Sequence, residues 1–410
     1  MLLAALGLGV VSWGVRRARE QGPAVVRLRA FGASIKYDYG GVLAGPGTGP
    51  PAAISKMSPY PAWLVAKLGL DFFHDVTEVR CQSSRSLTAD EAKLFWEAIA
   101  DLPNLQRLEA AGGLTPPGSI ACLARHQRLR TLELRWADAA PVDYLVLAKL
   151  RRLETLNLSD TQVTDECLAN IALARSLKTL DLHHARITDD GLAHVAQMPR
   201  LERLWLSGTR IGDPGVVHLR RHPSLMDLDL GYTAVSDGAL EHLAYIPNLA
   251  GLDLAATAVS DGGLAALAGH SKLSYLNLES TEVRGIGLAS LKRLPNLEAL
   301  CLGGRDKLKS AAGLAGCWRL KRLKISCYVS VIHELQFADI PEHVIETGAG
   351  GLANDDDLIR LVANRKLKTL YVSEWIPGVP AGLAKFRKQQ PDCELLNSSQ
   401  WPDRGLRGRP

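Results

Sequence analysis

The chain has 410 residues, a formal net charge of +5, 47% hydrophobic and 22% charged residues. That apolar content can bury a substantial core and excludes a disordered chain. The balance of 48 basic against 43 acidic side chains is not the strongly basic field of a nucleic-acid binder, and seven scattered cysteines without a CxxC pair suit neither a disulfide framework nor a zinc ribbon.

Residues 1–15, MLLAALGLGVVSWGV, carry no charge and are followed at once by Arg16, Arg17 and Arg19. As a helix they would span about 22 Å against the roughly 30 Å of a bilayer core. A cleaved signal normally carries its positive charge before the apolar stretch, so this hydrophobic, signal-like segment reads first as a membrane anchor, with the side open. If it spans, the arginines favour a cytoplasmic body. The alternative is a cytoplasmic or secreted protein.

Residues 16–60 are expected to hold a helix from Ala24 to Phe31 ended by Gly32, a strand from Ser34 to Tyr39, and a Gly/Pro-rich linker over 40–60. A helix over Pro61 to Leu68 then leads into a repeat domain over 61–400. A basic tail, 401–410, carries Arg404, Arg407 and Arg409.

The repeat domain shows one regular leucine register: Leu105, Leu129, Leu153, Leu177, Leu201, Leu225, Leu249, Leu273 and Leu297 stand 24 residues apart. From each the pattern LxxLxL usually follows, and its alternating end predicts a short strand. A threonine turn comes next (Thr161, Thr209, Thr233, Thr257, Thr281), then an inward Val or Ile, then Asp165, Asp189, Asp213, Asp237 or Asp261. Those aspartates are read as caps at the start of short outer helices. The helices bury pairs such as Leu240 with Leu243, and prolines such as Pro199 and Pro223 stop them. Val76-Val79-Cys81 is read as a first strand, followed by the capping-box spacing Thr88-x-x-Glu91 and an apolar helix face of Leu94, Phe95, Ile99 and Leu102. A degenerate coil is expected near Val344.

The unit LxxLxLxxTxVxDxGLxxLxxxPx is nearly whole in Leu225 to Pro247, where Ala239 takes the Gly position. It is similar to the leucine-rich-repeat family, especially membrane-tethered bacterial arrays rich in T-x-V-[TS]-D-x-G-L, over roughly Val76 to Leu396. The segments AFGASIKYDY, LDFFHDVTEVRC and FRKQQPDCELL resemble the flanks of such arrays. The resemblance implies an α/β fold, a leucine-rich-repeat solenoid or horseshoe with parallel strands on the concave face and helices on the convex face, and a protein-interaction role. The unit also resembles the cysteine-containing repeats of F-box substrate receptors, although most coils hold Thr or Ala at the Cys position and no F-box-like segment precedes the array.

Alternation along a strand turns the residues between the register leucines to the concave face. The candidate binding residues are Asp181, His183, Arg203, Trp205, Asp227, Asp229, Asp253 and Tyr275, an acidic centre with an exposed tryptophan. Neighbouring aspartates repel until a cation or basic partner arrives, and aromatic residues are enriched among binding anchors. His183 and His184 point opposite ways on a strand, so no metal site is expected. No phosphate loop, GxSxG, HExxH or kinase signature is present, so no catalytic residue and no cofactor is assigned. The expected partner is a protein or peptide, preferably basic; no nucleic acid is expected, and the membrane is contacted only through the N-terminal segment.

Overall fold

The computed structural model describes residues 15, 18–38, 42–43, 74–82, 88–136, 140–304, 314, 317 and 320, and strands at 322–326, 343–347, 367–372 and 394–397. It falls into two compact units, Met1–Arg186 and Ile187–Pro410. The helix expected over Pro61 to Leu68, the basic tail and all but Val15 of the expected anchor lie outside the described residues. Among the described residues no helix is long and apolar enough to cross a membrane.

In the first unit, residues 18–30 form a helix that buries Ala24, Val25 and Leu28. Gly32, at φ +79°, ends it in the left-handed conformation that glycine adopts freely. The strands are β1 (Ser34–Tyr37), β2 (Val42–Leu43), β3 (Val76–Gln82), β4 (Arg107–Ala111), β5 (Thr131–Glu133), β6 (Thr155–Asn157) and β7 (Thr179–Asp181). β1 is antiparallel to β2 and β3, and each later strand lies parallel beside the one before it. Two expectations need correction. β1 ends at Tyr37 rather than Tyr39, and the Gly/Pro-rich segment contains β2, where Val42 and Leu43 extend the edge of the sheet. The Gln21 side chain donates to the His74 carbonyl and accepts from the Val76 N–H at 3.3 Å, tying the N-terminal helix to the start of β3.

The capping box is present: Glu91 N–H donates to Thr88 Oγ1 at 3.2 Å, and Thr88 N–H donates to Glu91 Oε2 at 2.9 Å. The helix Ala89–Ala100 that follows buries Ala92, Phe95, Trp96 and Ile99. Leu94, expected on that face, points outward at 46% exposure, because the 3.6-residue period gives the inner stripe to its neighbours.

The second unit runs β8 (Arg203–Trp205), β9 (Asp227–Asp229), β10 (Gly251–Asp253), β11 (Tyr275–Asn277), β12 (Ala299–Gly303), β13 (Arg322–Ser326), β14 (His343–Thr347), β15 (Leu367–Val372) and β16 (Glu394–Asn397), each parallel to the next. β14 is the degenerate coil expected near Val344. The outer returns are one or two helical turns, among them Asp189–Val195, Asp237–Leu243, Gly263–Gly269 and Ile286–Arg293. Leu204, Leu228, Leu252, Leu276 and Leu300 stack at zero exposure. At roughly 1.5–3 kcal/mol for each large side chain fully buried, a coil gains its stability from the coils beside it rather than alone. This is the α/β leucine-rich-repeat solenoid class.

Candidate interaction face

The third residue of each short strand carries a second role that alternation does not reveal. Asn157 Oδ1 accepts from Ser159 N–H at 2.9 Å, Asp181 from His183 at 3.1 Å, Asp229 from Gly231 at 2.8 Å, Asp253 from Ala255 at 2.8 Å and Asn277 from Glu279 at 3.0 Å. Each is an Asx turn, in which a short polar side chain mimics a backbone acceptor. One residue beyond each donor the chain enters the left-handed region, at Asp160, His184, Tyr232, Ala256 and Ser280, with φ between 55° and 58°. Where the third residue is instead Glu109, Trp205 or Cys301, the left-handed position holds Gly112, Gly208 or Gly304. The polar cap and the glycine are thus two solutions to one backbone problem. Trp136, at φ 55° after Glu133, has neither.

The aspartates of this face also have partners within the protein. Backbone N–H groups already occupy Asp229 and Asp253, and Asn277 Nδ2 donates to the second oxygen of Asp253 at 2.9 Å. The expected depth is corrected: Trp205, expected to be exposed, retains 7% exposure and Asp229 retains 6%. Neighbouring strands lie roughly 4.8 Å apart, so the side chains of the same column cover one another.

Six of the predicted residues stand in the second unit. Strand register pairs Arg203 with Asp227 and Trp205 with Asp229, then Asp229 with Asp253 and Asp227 with Gly251, and Gly251 with Tyr275. Arg203 is exposed, and Asp227 and Tyr275 are half-buried. A Cβ on Gly251 would come within 2.5 Å of Asp227 Oδ1, so the absent side chain makes room for this carboxylate. Burial pushes the Asp227 carboxyl up to about 6 against the pull of the Arg203 guanidinium, with Glu202 adding to the rise. Burial, followed by the Asp229 charge, likewise raises Asp253 above the ordinary carboxylate range.

Asp181 and His183 stand in the first unit, where His183 Nδ1 lies 2.5 Å from Asp181 Oδ1. The sequence reading missed a denser network there. Arg107 Nη2 pairs with Glu133, and its Nε lies 3.6 Å from Glu78. Arg135 Nη2 donates to Glu109 at 2.7 Å, which also receives Gln82 Nε2, and Arg80 pairs with Glu78. Desolvation raises the Glu133 carboxyl despite Arg107 and Arg135. Carrying the 24-residue strand register back to β5 and β4 sets Glu133 beside Glu109, a pair of carboxylates that marks the place of this network.

The helix-start aspartates act across coils, which corrects their reading as caps of their own helices. Asp189 Oδ1 accepts from Gly212 N–H at 2.7 Å, Asp213 Oδ1 from Ser236 N–H at 2.7 Å, and Asp237 Oδ1 from Ser260 N–H at 2.7 Å. Asp261 Oδ1 accepts from Gly285 at 3.0 Å and Gly287 at 2.8 Å. Each aspartate therefore serves the start of the following coil's helix. At two coils the glycine two places past the next coil's aspartate makes room for it: a Cβ on Gly215 would lie 2.4 Å from Asp189 Oδ1, and one on Gly263 would lie 2.5 Å from Asp237 Oδ1.

The family model described as Leucine Rich repeat matches residues 149–172 and 174–196. No curated protein matches the chain in sequence. Among solved structures, the chain is similar to an internalin (inlF) of Listeria monocytogenes at 16% identity and a TM-score of 0.46, covering 81% of this chain and 92% of that one. It is also similar to a leucine-rich-repeat protein of Leptospira interrogans at 16% identity and a TM-score of 0.41, covering 76% and 81%. Two consecutive repeat matches fall in a ladder of parallel strands with the same leucine register, so residues 149–172 and 174–196 are leucine-rich repeats.

Proposed function

We propose that the chain is a non-catalytic interaction scaffold that holds a basic protein or peptide segment on the strand face of its second unit. The observation that carries this reading is the register of Asp229 opposite Asp253, with Asp227 on the adjoining row, bordered by Trp205 and Tyr275. Carboxyls pushed upward by burial and by each other gain from an approaching cation, since added positive charge lowers the cost of ionising them. Tyr232, 67% exposed beyond the end of β9, supplies apolar area beside that charge. Repeat arrays use such extended faces for binding, which supports a scaffold over an enzyme.

The test is calorimetric titration of the full chain with an oligolysine peptide, a neutral peptide of equal length and an oligoglutamate peptide. The variant Asp227→Asn/Asp229→Asn keeps a side-chain acceptor at each position. Selective, salt-sensitive binding of the cationic peptide, weakened about tenfold or more in the variant, supports the assignment; equal affinity in the variant, or no preference for the cationic peptide, overturns it. Residues 1–15 are read with this proposal as a membrane tether, which cell fractionation with and without that segment tests.

A further inference from the structure

A second register column holds buried histidines. His126 in the first unit, and His222 and His270 in the second, occupy the position just past the outer helical turn, at 0%, 3% and 4% exposure. Other coils fill this place with apolar side chains such as Met198, Ile246 and Leu294. Two of the imidazoles reach the backbone of the preceding coil by a ring nitrogen. His126 Nε2 lies 3.0 Å from the Ile99 carbonyl and His222 Nε2 lies 3.1 Å from the Met198 carbonyl, and His270 neighbours the Leu243 backbone. Nδ1 of His126, Nδ1 of His222 and Nε2 of His270 are buried without a hydrogen-bond partner.

We propose that these histidines make the coil stack acid-labile, so that mild acidification loosens the seams at Met198/His222 and Leu243/His270 in the second unit and at Ile99/His126 in the first. A neutral imidazole satisfies this site by donating one N–H to the carbonyl and leaving a bare nitrogen among apolar atoms. Protonation puts a second N–H and a full charge into that buried place; at His126 the Cys122 and Leu123 backbone partly offsets the cost, whereas His222 and His270 each have a single backbone neighbour. The surrounding charges give no relief: Arg125 opposes a proton on His126, and no charged group contributes at His222 or His270. Desolvation accordingly lowers all three below the ordinary histidine value.

The sign follows from linkage. Above the unfolded-state value of 6.5 both states are neutral, and as pH falls below it the unfolded chain binds protons that the folded chain refuses. Each histidine should raise the unfolded-to-folded ratio about tenfold between pH 7.5 and pH 5.5. Asp227, titrating near 6, pulls the other way, so the comparison must be with a variant that retains it.

The experiment measures the denaturant midpoint of the full chain from pH 7.5 to pH 5.5, beside His222→Asn/His270→Asn. Amide hydrogen exchange on the parent alone is followed around 198–222 and 243–270, which keeps the idea testable if the variant folds poorly. A parent that loses stability on acidification more steeply than the variant, with exchange rising first at those seams, supports the proposal. Equal slopes, or exchange at the seams that does not change with pH, overturn it.

Discussion

Asp213 holds Ser236 of the next coil by both its backbone and its side chain: Oδ1 accepts the N–H at 2.7 Å, and Oδ2 accepts the hydroxyl at 2.5 Å. Replacing Asp213 with Ala should destabilise the protein by about 2 kcal/mol, because two part-buried donors lose a charged acceptor. Asp213→Asn, which keeps one acceptor oxygen, should lose less. Urea midpoints at pH 7 measure both, and equality of Asp213→Ala with the parent would dismiss the staple.

The glycines beneath these aspartates should be far from equivalent. Gly263→Ala drives a methyl against Asp237 Oδ1 and Leu240 Cδ1, 2.5 and 2.8 Å from the ideal Cβ. A loss of about 1–3 kcal/mol is expected from such overpacking. Gly269→Ala meets nothing within 4 Å and should be neutral, or stabilising by up to about 1 kcal/mol. Thermal melts of the two variants check the contrast.

The exchange between polar caps and glycine predicts a coupling. Asp229→Ala removes the cap ahead of Tyr232 and should cost about 1 kcal/mol. In a Tyr232→Gly background the same change should cost less, since glycine takes the left-handed conformation unaided. A double-mutant cycle reads this directly; additive losses would mean that the turn does not depend on the cap.

Asp227 and Asp253 should respond to pH in the opposite sense to the buried histidines. Their folded-state values lie above the ordinary 3.8, so the stability they contribute is fully present below 3.8 and is lost as pH rises through the folded values, about 6 for Asp227. Asp227→Asn should therefore gain on the parent as pH rises from 4 to 7. Melting temperatures taken across that range check the sign.

The coil register, the capping box and the degenerate strand at His343–Thr347 were legible because hydrophobic period and local caps are written along the chain. What crosses from coil to coil was not. Asp213 obeys the local rule for a helix start, yet its carboxylate turns to Ser236, 23 residues away. Trp205 was read as exposed and is buried, because alternation along one strand says nothing of how far the strands either side cover a side chain. Asp229 reads as a free surface charge until its turn with Gly231 is seen. The two-residue strand at Val42–Leu43 is too short to show a period among glycines and prolines.

In the second unit the staples all point one way along the chain, from Asp189 to Gly212, Asp213 to Ser236, Asp237 to Ser260 and Asp261 to Gly285. The array is consequently polar in how it can be cut. Removing a coil from its carboxyl side frees a carboxylate, whereas removing one from its amino side takes away the acceptor of a helix start, so a new leading end needs a capping residue of its own.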